Sequence, residues 1–83
     1  MDLGDYRKKI DELDEVLCDA FVKRMECCKK IGEIKAREGL PILNQGREQE
    51  VIDKATKGVS DELKPYVTSF VKEMMALSRE YQK

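Results

Sequence analysis

The chain predicts an all-α protein of three helices, the first so long that a second copy of the chain is needed to cover it. Three observations carry that reading. From Asp5 to Ile31 no glycine or proline interrupts a heptad of apolar residues, with Leu3, Ile10, Leu17 and Ile31 along one seam and Tyr6, Leu13, Ala20, Cys27 and Ile34 along the other. Gly39 and Pro41 then stop the pattern, and two shorter helical patterns come after them. A helix of about 33 residues spans about 50 Å, whereas a compact globule of this length is about 30 Å across, so one chain cannot bury the seam. A long helix shared between two protomers is the simplest closed arrangement.

The first helix is expected to begin between Leu3 and Asp5 and to run to about Arg37, with Gly32 as its weakest point. Leu40–Leu43 is a short extended piece, and Asn44 is suited to cap the second helix. That helix covers about Gln45 to Lys57 and stops at Gly58; its apolar stripe of Val51, Ile52 and Ala55 is headed by Glu48, one turn earlier. The third opens within Ser60–Pro65, where a proline is tolerated in the first turn, and runs to about Gln82. Its expected inward stripe is Val67, Phe70, Val71, Met74, Leu77, Ser78 and Tyr81, with Gln82 beside it.

Eighty-three residues make one domain, 1–83, with only a modest core of its own. A net charge of −1 with 40% charged residues is a balanced, solvated surface, which speaks against a nucleic-acid or membrane partner. Cys18, Cys27 and Cys28 form no CxxC pair and no histidine accompanies them, so they are expected as reduced thiols packed in a core rather than as metal ligands. The polar N-terminus has no apolar run behind it, and a cytoplasmic location is expected.

Arg24 breaks the heptad. A guanidinium on a face that should be buried costs several kcal/mol unless an anion meets it, so it marks a register device, an internal ion pair or an anion site. Lys35, eleven residues on, returns to within about 20° of the same direction. With Arg7, Arg47, Glu48, Ser78 and Gln82 on or beside inward faces, cations outnumber the single acid, which suits a small dianion held by arginine forks with lysine as a point charge. Arg7 lies about 25 Å along the helix from Arg24 and is turned from it by roughly 100°, so it cannot reach the same ligand within one chain. In an antiparallel dimer the partner's Arg7 could; a solvated arginine at a helix start is the plainer alternative.

The run R-K-K-I-D-E-L-D (Arg7–Asp14), Arg24, I-G-E-I-K (Ile31–Lys35), L-P-I-L-N-Q-G-R-E-Q-E (Leu40–Glu50) and S-R-E-Y-Q (Ser78–Gln82) resembles the all-helical class of chorismate mutases over nearly the whole chain. The resemblance implies a three-helix protomer, an intertwined homodimer with two sites, no cofactor or metal, and the rearrangement of chorismate to prephenate. It implies that Arg7 from the partner and Arg24 hold the substrate carboxylates, and that Lys35 and Gln82 contact the ether oxygen. Glu48 would accept the ring hydroxyl, Arg47 would support the site, and Ser78 would lie by a carboxylate. Asn44 stands where the family typically has aspartate; a backbone N–H contact there would tolerate the change and a side-chain contact would not. Two other readings stay open at this point: isochorismate-pyruvate lyase, which shares the fold, and a non-catalytic helical dimerisation or regulatory module.

Overall fold

A computed structural model describes residues 1–83 as three helices with no strand: α1 (Leu3–Glu38), α2 (Gln45–Thr56) and α3 (Lys64–Gln82). Each boundary is set by local chemistry. Asp2 caps α1 through a reciprocal box in which the Asp5 amide donates to Asp2 Oδ1 and the Asp2 amide to Asp5 Oδ2, both at 3.0 Å. Gly39 ends the helix at φ 69°, a left-handed conformation that suits a residue without Cβ, and the Leu40 amide closes the cap on the Lys35 carbonyl at 2.8 Å. Asn44 caps α2 by accepting from the Arg47 amide at 3.0 Å. Residues 60–63 form a hydrogen-bonded turn instead of the first turn of α3, which starts four residues later than the earliest expected position and carries Pro65 in its opening turn.

The 36 residues of α1 set the length of the molecule, 54 Å along its longest axis. The radius of gyration is 15.7 Å, against about 12 Å for a compact chain of this size. Helices α1 and α2 each pack on α3 and not on each other, so α3 is the hub.

The packed faces differ from those expected. On α1 the face against α3 is Cys28 and Gly32, flanked by half-buried Phe21, Arg24, Met25 and Lys35. The heptad seam of its first half is uncovered: Leu3, Tyr6, Ile10, Leu13 and Leu17 are each 54–64% exposed. On α3 the inward stripe is Val71, Met75 and Ser78, with Gln82 half-buried after them, while Phe70, Leu77 and Tyr81 are exposed and Met74 is half-buried. Met75 thus takes the place expected for Met74, because this face points at Cys28 and Gly32 and the more apolar face points away. Of the three thiols only Cys28 is packed; Cys18 and Cys27 are exposed on α1.

Gly32 is a point of contact where a weak helix position was expected. A Cβ built there would lie 2.8 Å from the backbone oxygen of Gln82 and 2.9 Å from its Cα, so the last turn of α3 sits directly on the α1 backbone. In Gly32→Ala a helix-propensity gain of about 1 kcal/mol competes with overpacking that costs about 1–3 kcal/mol against unyielding backbone. The clash is expected to win, lowering the urea midpoint; an equal or higher midpoint would mean that the α3 terminus yields freely.

Candidate functional site

The last turns of α3 supply one polar group to each neighbour. Ser78 Oγ donates to the Met74 carbonyl at 2.8 Å, a local bond that spends its only proton and leaves its lone pairs to accept from Arg24 Nη1. Ser78 is buried and Arg24 half-buried, and the same Arg24 nitrogen lies 3.7 Å from Cys28 Sγ. The guanidinium on the heptad seam is therefore held by neutral acceptors on α3 and its own helix, and no carboxylate lies within ion-pair distance of it.

One turn further on, Gln82 Oε1 accepts from Lys35 Nζ at 3.0 Å, and the same ammonium donates to the Ile42 carbonyl at 2.6 Å. Lys35 ties the α1–α2 connection to the end of α3. With its oxygen engaged, the Gln82 amide keeps both Nε2 protons free of any partner within the chain. Arg79, between these two residues, donates to Glu48 Oε2 across the α2–α3 interface.

These groups line a single cleft of about 330 Å³, within the range of small-molecule sites. Seven of the eight residues expected at a site line it: Arg24, Lys35, Asn44, Arg47, Glu48, Ser78 and Gln82. Arg7 does not; it is exposed on the uncovered half of α1. Arg47 reaches the rim, with its guanidinium 3.3 Å from Glu50 Oε1 on the exposed side of α2. Asn44 has its side chain occupied as the α2 cap. Arg79 is the lining residue that sequence reasoning missed, and the signal for it was its place one turn after Met75. Ile31, Ile42, Val51 and Met75 form the apolar floor and walls. Four cations (Arg24, Lys35, Arg47 and Arg79) face one carboxylate, Glu48. In so small and partly desolvated a space that excess attracts an anion strongly, and the arginine forks match carboxylate geometry.

Three helices around a cationic cleft, with donors drawn from every element, define an all-helical protein whose cleft has the charge and shape to suit a small anionic ligand. The chain matches the family model for chorismate mutase type II over residues 6–83, and it belongs to that family. It is 40% identical over 53 residues to a bifunctional chorismate mutase/prephenate dehydratase of Aquifex aeolicus, a match covering 64% of this chain and 15% of the relative. With the chorismate mutase of Methanocaldococcus jannaschii it shares 36% identity over 55 residues, 66% of this chain and 56% of the other. A T-protein of Haemophilus influenzae is 44% identical over 46 residues, covering 55% and 12%. The matched stretch thus spans between 12% and 56% of the length of these relatives. No solved structure matches the chain.

Proposed function

We propose that residues 1–83 act as one chorismate mutase domain, converting chorismate to prephenate within phenylalanine and tyrosine biosynthesis. Membership of the chorismate mutase type II family supports the reaction, and the observation that carries the chemistry is the Lys35–Gln82 contact at 3.0 Å in the cationic cleft. The reaction is a unimolecular Claisen rearrangement: the ether C–O bond breaks as a C–C bond forms, with no proton transferred. Negative charge grows on the ether oxygen on the way to the transition state, so donors fixed at that atom stabilise the transition state more than the ground state. Lys35 has spent two of its three donors on Ile42 and Gln82, which orients the third. Gln82, its oxygen held by Lys35, would offer Nε2–H from the other side.

Arg24 and the partner's Arg7 would grip the two carboxylates and hold the enolpyruvyl arm over the ring, a contribution of positioning rather than of chemistry. Ser78 acts through Arg24, whose guanidinium it accepts. Glu48 would accept the ring hydroxyl, Arg47 would add charge at the rim, and Asn44 would serve through the backbone it caps. The uncovered seam from Leu3 to Leu17 supports an intertwined homodimer in which α1 of each chain crosses the other. No helix is long and apolar enough to cross a membrane, and the balanced charge fits a cytoplasmic enzyme without nucleic-acid or membrane partners.

The direct test is loss of chorismate absorbance on adding purified protein, with isochorismate in a parallel reaction. Turnover of chorismate to prephenate is expected; pyruvate released from isochorismate alone would make the protein a lyase, and no turnover of either would make it a binding module.

Gln82→Glu gives a separate check. A neutral amide donates at any physiological pH, whereas a carboxyl donates only when protonated, and its reference pKa is about 4.3. Activity of Gln82→Glu is therefore expected to rise as pH falls from 8 towards 5 in a pH–rate profile. A profile parallel to that of the unchanged protein would remove residue 82 from the ether oxygen.

A further inference from the structure

Six ion pairs form within the chain, and five of them are local. Lys30–Glu33, Arg47–Glu50, Lys54–Glu50, Lys64–Asp61 and Lys83–Glu80 join residues three or four apart, with exposed side chains. Pairs of that kind are worth little. Arg79–Glu48 differs in each respect. It joins α3 to α2 across 31 residues of sequence, its side chains are 33% and 26% exposed, and both line the cationic cleft.

Glu48 is the one carboxylate in that cleft, and a bare carboxylate there would repel the dianion that the cations are arranged to attract. Arg79 meets Oε2 and leaves Oε1 without a partner in the chain. One oxygen is thus compensated while the other keeps its lone pairs for a hydroxyl donor. The pair is also the wall between this cleft and a second, more open one on the outer side of α2, since Glu48, Met75 and Arg79 border both. Arg79 therefore fixes which way the Glu48 carboxylate faces.

We propose that Arg79 is a positioning residue that acts through Glu48: it cancels the charge of Glu48 towards an anionic substrate and turns the free oxygen towards the substrate hydroxyl. This rests on the reading of the cleft as a chorismate site. Arg79 itself need not touch substrate. A hydroxyl bond made equally before and during the reaction contributes uniform binding, so the effect belongs in KM more than in kcat.

The experiment is steady-state kinetics on chorismate for the unchanged protein, Arg79→Gln, Arg79→Lys and the double variant Arg79→Gln/Glu48→Gln, each checked by circular dichroism and thermal melting. Arg79→Gln is expected to raise KM by about tenfold with kcat changed much less, because it strands a charge beside the substrate. Arg79→Lys, which keeps the cation, should stay within about threefold of the unchanged KM, and the double variant should recover a KM below that of Arg79→Gln. A purely structural tie between α2 and α3 predicts instead that Arg79→Gln lowers the melting temperature and leaves KM near that of the unchanged protein. An unchanged KM in Arg79→Gln, or a double variant worse than the single one, would overturn the inference. Should Arg79→Gln fail to melt cooperatively, Arg79→Met, which keeps the packed stem, takes its place with the same ordering required. If the unchanged protein does not turn over chorismate, the functional reading falls and this inference with it; normal turnover with indifferent Arg79 variants defeats the inference alone.

Discussion

Lys35→Ala is expected to lower kcat/KM for chorismate by at least about a hundredfold, the usual scale for one lost donor to a developing oxyanion. The geometry argues for more than the loss of one contact. Lys35 Nζ holds the Gln82 amide by its oxygen at 3.0 Å and the Ile42 carbonyl at 2.6 Å, so alanine also releases the second donor and the connection before α2. The decisive readout is whether the loss lies in kcat. A lysine that only tied the connection to α3 would, when removed, lower the melting temperature and leave turnover near normal. That result would end the assignment of Lys35 to the chemical step.

Activity should reappear when two inactive proteins are refolded together. If each site takes Arg7 from one chain and Arg24, Lys35 and Glu48 from the other, Arg7→Ala and Lys35→Ala are defects of opposite halves. Random pairing gives about half heterodimers, and each of these has one site with both defects and one with neither. About a quarter of all sites would then be intact, far above either parent when each parent is down by about a hundredfold. The basis is that Arg7 is exposed on the uncovered half of α1, outside the cleft that the other seven residues line. A mixture no more active than its parents, with heterodimers verified by native mass spectrometry, would rule out a site shared between chains.

Helix ends were legible because they are set by single residues: Gly39, Asn44 and Gly58 do locally what their chemistry allows. Five of the cleft residues, Arg24, Lys35, Glu48, Ser78 and Gln82, were legible because polar groups on or beside apolar faces are expensive, while Asn44 and Arg47 were legible through the helix cap and the family resemblance. The packed faces were less legible, and one cause accounts for both α1 and α3. Periodicity reports the strongest apolar repeat, and much of that repeat is left uncovered within the chain: Leu3 to Leu17 on α1, and on α3 the Phe70, Leu77 and Tyr81 edge of a stripe whose Val71 and Ser78 are buried. The intrachain contact uses weaker residues, Cys28, Gly32, Met75 and Ser78. Val71 and Ser78 belong to both the expected and the observed α3 face, but the observed one extends towards Met75 instead of Met74, the side on which Arg79 lies. Gly32 was invisible for a different reason, since a residue that matters by having no side chain leaves no pattern.

The bare first half of α1 also bears on how the proposed dimer would come to be folded. Residues 3–20 form about 27 Å of helix in which every residue is exposed, and an isolated helix of that length is only marginally stable in water. In the proposed homodimer its order would come from the second chain, and folding and association would become a single bimolecular event governed by mass action. The population of working protein would then depend on how much of it a cell makes: dilution alone, with no change in temperature or solvent, would shift such a dimer towards the unfolded side.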